Sequence, residues 1–145
     1  MIKAKLIHAN IMVGSTELAD ALESFYRDRL GMVVKHRNVV PGKADRRFLA
    51  NEEDPDGVVI EVIGDLTEET PTPYSTGGAL EFLAEHGPGL DHLCFEVENV
   101  DEACRELEAA GVKIELQPYD FQGFARLAWL KDPAGVNLEL VEYLK

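Results

Sequence analysis

The chain repeats itself, and this internal repeat limits its fold more than any other feature of the sequence. Residues 54–63 read DPDGVVIEVI and residues 132–141 read DPAGVNLELV, so Asp, Pro, Gly, Val and Glu recur 78 residues later. Residues 6–8, LIH, are matched in the same way by residues 90–92, LDH, 84 residues later. Each half therefore begins with a histidine on an apolar strand and ends with a glutamate on another, which indicates one supersecondary unit used twice.

The residues between these marks predict a β-α-β-β-β order in each half. In the first half, a strand over residues 6–13 precedes a helix that Ser15 or Thr16 caps and Gly31 ends. In the second half, a strand over residues 93–97 precedes a helix that Asp101 caps and that ends before Gly111. Short strands then follow each helix, at 32–37, 46–50 and 58–63 in the first half and at 113–116, 125–130 and 136–143 in the second.

Helical spacing also predicts which side of each helix is buried. The expected apolar stripes contain Leu18, Ala21, Leu22, Phe25 and Leu30 in the first helix and Ala103, Leu107 and Ala110 in the second. The length of 145 residues predicts a single domain, 1–145. Within it we place a first module at about 1–64, a linker with a short helix at 65–89 and a second module at about 90–145.

Charge and targeting signals exclude several classes of partner. The 14 Lys and Arg residues stand against 27 Asp and Glu, giving a formal net charge of −13. Such a balance argues against binding to nucleic acid or to an anionic membrane, since both need basic surfaces. Because the N-terminus lacks the apolar run of a signal peptide and no stretch approaches a membrane span, we expect a cytoplasmic protein. The two cysteines, Cys94 and Cys104, form no Cys-x-x-Cys motif and are expected to be buried thiols.

Four ionisable residues occupy the middle of apolar strands: His8, Glu61, His92 and Glu139. Alternate residues of a strand share a face, so each of the four stands among mostly apolar or small neighbours. A carboxylate in such a place needs a cation or is driven towards its neutral form. A single histidine or glutamate of this kind is usually a core, edge or solvent-facing residue. Their matched positions in the repeat favour instead one site of two histidines and two glutamates for a divalent ion.

The donor types limit the metal without choosing it. Two imidazoles and two carboxylates, with no thiolate, suit Zn, Ni, Co, Mn or Fe. Four protein ligands leave one or two positions for a substrate oxygen or water, as Lewis-acid catalysis requires. His36 and His86 have no counterpart in the other half and are expected at the surface.

Several motifs carry a resemblance to a known family. They are Ile7-His8 leading into a strand, FYRDRLGM at 25–32, GLDH at 89–92, and Asp132-Pro133 followed by LEL at 138–140. Over nearly its whole length the chain resembles the vicinal oxygen chelate superfamily, which includes glyoxalase I, methylmalonyl-CoA epimerase, fosfomycin and bleomycin resistance proteins and extradiol dioxygenases. The resemblance implies an α+β fold of two tandem βαβββ modules, whose curved, cup-shaped mixed sheet surrounds one divalent metal, usually in a homodimer. It places the ligands at His8, Glu61, His92 and Glu139.

The resemblance also implies a reaction. Members with this ligand set are lyases or isomerases in which a carboxylate moves a proton while the metal stabilises an enolate. We predict Glu139 as the base, with Glu61 as the second candidate. The expected substrate is an anionic small molecule with a carbonyl or thioester, and Arg46 or Arg47 is the candidate contact for its negative charge.

The sequence leaves the subfamily open. Residues 61–97 are similar to methylmalonyl-CoA epimerases, yet the loop at 40–45 lacks the second catalytic glutamate of those enzymes and offers only Asp45 in its place. Residues 131–139 look more like glyoxalase I. The residues that hold glutathione carboxylates in that family have no evident match, since Met12 and Asp65 stand near their positions.

Two further classes remain as alternatives. One is a metal-free binding protein of the bleomycin resistance type, with Phe121, Phe124 and Trp129 lining a groove. The other is an extradiol-type dioxygenase, whose iron is held by two histidines and one glutamate. A fourth ligand at Glu61 would crowd that arrangement.

Overall fold

The computed structural model describes residues 2–40, 44–66 and 79–145. Residues 67–78 of the expected linker, including the segment at 68–71 that is similar to epimerases, lie outside these residues, as do residues 41–43 of the loop at 40–45. The helices and strands, in chain order, are β1 (Lys5–Met12), α1 (Thr16–Leu30), β2 (Val33–Val40), β3 (Ala44–Ala50), β4 (Val59–Leu66), α2 (Ala79–His86), β5 (Gly89–Glu96), α3 (Val100–Ala109), β6 (Ile114–Phe121), β7 (Ala125–Lys131) and β8 (Asn137–Tyr143). The α+β class and the βαβββ order of both halves are confirmed.

The chain forms two compact units. The first unit comprises His8–Asp91, and the second comprises His92–Lys145 together with the residues up to Ile7. In the first unit the strand order is β2-β3-β4-β1, with β1 parallel to β4. In the second unit the order is β5-β8-β7-β6, with β5 parallel to β8. The repeat in the sequence therefore corresponds to a repeat in strand order and strand direction.

The ends of corresponding elements are built alike. Ser15 Oγ accepts a hydrogen bond from the backbone N–H of Leu18, and Asn99 Oδ1 accepts one from that of Glu102. The two caps lie 84 residues apart, the same spacing as the two histidines. The prediction of Asp101 as the second cap is wrong, because α3 starts two residues earlier than that cap requires and the Asp101 carboxylate binds Arg126 at 2.5 and 2.9 Å. Gly31 ends α1 with a φ of 72°, in the left-handed region that glycine tolerates.

The core of the first unit lies between α1 and its sheet. Buried Val13, Ala19, Leu49 and Val62 form its centre, and Leu18, Leu22 and Tyr26 pack against them. The predicted stripe was therefore correct for Leu18 and Leu22 but wrong for three positions. Ala21 is exposed, as are Phe25 and Leu30, at 53% and 61%. Ala21 and Phe25 lie off the arc set by Ala19, Leu22 and Tyr26, which recur at the i, i+3, i+7 spacing of one helix face. Leu30 is on that face but is exposed as the last residue of α1.

The second unit packs α3 against its own sheet in the same manner. Its core contains Val97, Val100, Ala103, Cys104, Ile114, Ala128, Leu130 and Leu140, with Ile2 and Leu107 packed against it. Cys94 and Cys104 are both buried thiols, as predicted. Ala110 is exposed, contrary to prediction, because it stands at the C-cap of α3 rather than within it. Among the helices described, none has the length and apolar character needed to cross a membrane.

Candidate metal and catalytic site

The first unit brings His8 and Glu61 together on one face of its sheet. Parallel pairing of β1 with β4 sets His8 opposite Val59 and Asn10 opposite Glu61, so His8, Asn10 and Glu61 share that face. His8 Nε2 lies 3.9 Å from Glu61 Oε1, and Asn10 Nδ2 donates a hydrogen bond of 2.5 Å to the same oxygen. The two side chains are only 11% and 12% exposed.

The second unit brings His92 and Glu139 together in the same way. Parallel pairing of β5 with β8 sets Cys94 opposite Glu139, and His92 precedes Cys94 by two residues on the same face. His92 Nε2 lies 3.6 Å from Glu139 Oε2, while Cys94 Sγ donates to Glu139 Oε1 at 3.2 Å. The histidine and glutamate side chains are 7% and 14% exposed.

Both pairs fit a divalent cation. Distances of 3.6 and 3.9 Å are too long for a direct hydrogen bond. They are within the span of two ligands of one ion, each roughly 2.0–2.2 Å from it. Within the part of the chain that the structure describes, no lysine or arginine forms an ion pair with Glu61 or Glu139. Two nearly buried carboxylates with imidazole as their neighbour therefore have the donor chemistry of a metal site.

An aromatic pair, Trp129 and Tyr119, lies behind His92. The sequence did not predict that these two residues support the histidine. Trp129 meets the His92 ring edge to face at 4.8 Å, and its indole N–H donates to Tyr119 Oη at 3.0 Å. Burial raises the pKa of Tyr119, and the charge of Glu139 raises it further against the lowering effect of the Trp129 hydrogen bond. Tyr119 is thus a protonated hydroxyl close to Glu139. The signal that could have indicated this role is strand register, since Trp129 is the register partner of Glu139 in the antiparallel pair of β7 and β8.

The aromatic groove expected for a binding protein is only partly present. Trp129 is 3% exposed and packs against His92, so it supports the site instead of lining an open groove. Phe121 and Phe124 contact each other with ring centroids 5.7 Å apart, and Phe124 is 49% exposed.

The two candidate arginines lie on opposite faces of β3. Pairing with β4 sets Arg46 opposite Ile63 and Phe48 opposite Glu61, so Arg46 is on the face that carries Glu61. Arg47 lies on the other face, towards α1, where it is buried. Arg46 forms no ion pair with any carboxylate that the structure describes.

Arg47 is held by acidic residues of its own unit. Its Nε and Nη2 donate to the two Asp45 carboxylate oxygens at 3.0 and 2.8 Å, and its Nη1 lies 2.6 Å from Asp20 Oδ1. The hydrogen bonds from Arg47 hold the pKa of Asp45 below its usual range against the opposing effect of burial. Asp45 is therefore an ionised carboxylate with a structural role. It lies on the face of the sheet that packs against α1, whereas Glu61 lies on the opposite face.

The remaining histidines lie at the surface, as expected. His36 is exposed and its ring lies 5.9 Å from that of Phe48, and His86 has a side chain that is 59% exposed.

Comparison with known proteins assigns the family. A family model described as the Glyoxalase/Bleomycin resistance protein/Dioxygenase superfamily matches residues 8–127. The chain belongs to this superfamily. A lactoylglutathione lyase of Neisseria meningitidis serogroup A is 24% identical over 140 residues, which cover 95% of this chain and 90% of the relative. The family assignment thus confirms the resemblance found in the sequence.

Solved structures include close matches to this fold. A hypothetical protein from Bacillus halodurans superposes with a TM-score of 0.72 at 26% identity, covering 99% of this chain and 96% of its own. The methylmalonyl-CoA epimerase of Mycobacterium tuberculosis gives a TM-score of 0.67 at 27% identity, covering 97% of this chain and 89% of its own. Both lyases and epimerases are therefore among the relatives of the chain.

Proposed function

We propose that the chain is a divalent-metal-dependent enzyme of the lyase or isomerase type, acting as a cytoplasmic homodimer on an anionic small molecule with a carbonyl or thioester. The observation that carries this proposal is the nearly buried histidine–glutamate pair found at the same strand positions in both units. The names of the relatives, lactoylglutathione lyase and methylmalonyl-CoA epimerase, support the reaction class.

The ligands of one ion are His8, Glu61, His92 and Glu139. This assignment is supported by the equivalent places that the residues occupy in the repeat. The set has two imidazoles and two carboxylates, which suits Zn, Ni, Co, Mn or Fe. When bound, such an ion supplies Lewis-acid stabilisation of the negative charge that develops on a substrate oxygen.

Glu139 is the proton-transferring residue. Its carboxylate takes the proton from the acidic carbon beside the carbonyl and returns it to a neighbouring atom, so that no proton is gained or lost overall. The surroundings favour this role because Trp129 and Tyr119 limit access of water on the same face. Glu61 is the second candidate, and Arg46 on the face of Glu61 is the contact for the anionic part of the substrate.

A one-base reaction of the lactoylglutathione lyase type is the first candidate. Asp45 is the carboxylate that the sequence offers as a second base, and it is ion-paired with Arg47 on the opposite face from Glu61. Epimerisation of methylmalonyl-CoA is the second candidate, favoured by the 27% identical epimerase structure.

Metal analysis and isotope exchange test the proposal. We expect one divalent ion per chain by elemental analysis after purification without chelators. In deuterium oxide, the protein should exchange the acidic hydrogen of one of the two substrates named by its relatives, and Glu139→Gln should abolish that exchange. Glu142→Gln is the matched control, since this residue of the same strand accepts a hydrogen bond from the Val100 N–H and the amide oxygen of glutamine preserves it.

The other outcomes identify the alternatives. A protein that neither contains nor binds a divalent ion, yet binds small aromatic molecules, would be a binding protein of the bleomycin resistance type. Consumption of dioxygen with a catechol and iron would indicate a dioxygenase. Retained exchange in Glu139→Gln would remove Glu139 as the base.

A further inference from the structure

Each candidate ligand carboxylate receives a hydrogen bond from the residue directly opposite it on the neighbouring parallel strand. Asn10 is the register partner of Glu61 and donates to its Oε1. Cys94 is the register partner of Glu139 and donates to its Oε1. Asn10 and Cys94 are 84 residues apart, so the repeat places an amide in one half where it places a thiol in the other.

These contacts fix one oxygen of each carboxylate. In the second unit, the oxygen bound by Cys94 is Oε1 and the oxygen nearest His92 is Oε2, so the two oxygens have separate partners. In the first unit, Asn10 and His8 both approach Oε1, with Asn10 at hydrogen-bond distance and His8 at 3.9 Å. The donor therefore determines how each carboxylate is turned towards its histidine.

The two donors differ in strength. The amide N–H of Asn10 donates to a carboxylate, which makes this a charge-assisted hydrogen bond of the strong kind. A thiol is a weak donor, so Cys94 holds Glu139 less firmly at 3.2 Å. Glu61 is accordingly the restrained carboxylate, and Glu139 is the one that turns at lower cost.

Asn10 makes this contact at the cost of one unsatisfied hydrogen-bond acceptor. The residue has no exposed surface, and its Oδ1 is buried without a hydrogen-bond partner among the described residues. An apolar side chain of the same size would avoid that unsatisfied oxygen, because leaving a buried acceptor unpaired is unfavourable. The contact with Glu61 accounts for an asparagine at this position.

We propose that Asn10 and Cys94 are positioning residues that restrain the two ligand carboxylates unequally. Asn10 holds Glu61 in one orientation, whereas Cys94 leaves the Glu139 carboxylate able to turn and transfer a proton. The assignment of metal and base rests on the proposed function, whereas the two contacts exist without it. Loss of a hydrogen bond behind a metal ligand typically lowers metal affinity by roughly 10–100-fold. Asn10→Leu should therefore weaken binding of Zn²⁺ by an amount in that range, and Cys94→Ala should weaken it less.

Chelator competition with Zn²⁺ measures these affinities without any substrate. Asn137→Leu is the matched control for Asn10→Leu, because Asn137 Oδ1 is also buried without a partner among the described residues and lies on β8. The control should keep the wild-type Zn²⁺ affinity, and melting curves should show that all variants are folded. Equal affinities for Asn10→Leu and the control would overturn the role of Asn10.

Infrared spectroscopy tests the Cys94 contact directly through the S–H stretching band. In the Cys104→Ala protein the remaining thiol is Cys94, and in the Cys94→Ala protein it is Cys104. The S–H band of Cys94 should lie at lower frequency than that of Cys104, because a carboxylate acceptor weakens the S–H bond. Adding Glu139→Gln should move the Cys94 band upward. An unmoved band would overturn the contact.

The unequal restraint is tested by exchanging the donors. Cys94→Asn gives Glu139 the stronger donor, and we expect a lower kcat with an unchanged KM and an undiminished Zn²⁺ affinity. An unchanged kcat would overturn the unequal restraint. If the protein binds no Zn²⁺ and turns over neither substrate, the proposed function fails, while the infrared result still decides the contact.

Discussion

Arg46 and Arg47 are neighbours in the sequence on opposite faces of β3, and replacing each by methionine separates an arginine that holds a buried carboxylate from one that forms no ion pair among the described residues. Arg47 is 5% exposed and Asp45 is 2% exposed, with two hydrogen bonds between them. In Arg47→Met the Asp45 carboxylate stays buried and loses its counter-charge. In Arg46→Met no ion pair among the described residues is broken.

The expected loss of stability follows from this geometry. Removing one partner of a buried ion pair costs about 3–5 kcal/mol. We expect the lower end, about 3 kcal/mol, because a hydrogen bond with the Thr16 side chain also stabilises the ionised Asp45. Asp20 adds little, since its side chain is 65% exposed. At about 2–4 °C per kcal/mol for a chain of this size, Arg47→Met should lower Tm by about 6–12 °C. Arg46→Met should change stability by less than about 0.5 kcal/mol.

Thermal and urea denaturation near neutral pH measure both variants. Asp45→Asn combined with Arg47→Met should recover much of the loss, because neither residue then leaves a charge in the interior. The pH dependence has a definite sign. Arg47 depresses the pKa of Asp45 in the folded state, so the stabilisation is present above the unfolded pKa of about 3.9 and is lost as pH falls through the folded value. The difference between wild type and Arg47→Met should therefore shrink below about pH 4.

Two results would refute this reasoning. One is an Arg47→Met protein that melts at the temperature of Arg46→Met. The other is a double variant no more stable than Arg47→Met alone. The arginines also differ in their expected effect on turnover, since Arg46→Met should raise KM for an anionic substrate.

Three further predictions concern other parts of the chain. Ser15→Ala and Asn99→Ala should each lower the free energy of unfolding by about 1 kcal/mol in chemical denaturation, because each removes an N-cap acceptor; no change in either would contradict the capping geometry. Burial raises the pKa of Cys104 to about 11, so at pH 8 iodoacetamide should label this thiol in urea and leave it unlabelled in the folded protein. Gly31→Ala should destabilise α1, since its φ of 72° strains any residue with a Cβ, and a helix signal equal to wild type on heating would exclude that strain.

Local pattern was enough to predict most of the fold and the four residues that form the two histidine–glutamate pairs. The repeated DP-x-G-V motif and the two strand-borne histidines gave the βαβββ order, since strand and helix periods are properties of short segments. Other details depended on packing. Phe25 has the spacing of a core residue and is exposed, and Asp101 has the chemistry of a cap that Asn99 provides instead. Tertiary contacts decide which part of a helix is covered and which of two nearby polar residues caps it, and short-range pattern does not resolve these choices.

The sequence by itself determined that one unit is used twice and that each copy carries a histidine and a glutamate on apolar strands. Tertiary structure decided which neighbours these residues have. Strand register sets Asn10 opposite Glu61 and Cys94 opposite Glu139, and it turns Arg46 towards the Glu61 face while burying Arg47 against Asp45. Register depends on how distant strands pair, and a slip of one residue exchanges the two faces of a strand. Short segments of the sequence therefore identify these residues, whereas contacts between strands far apart in the chain determine their partners.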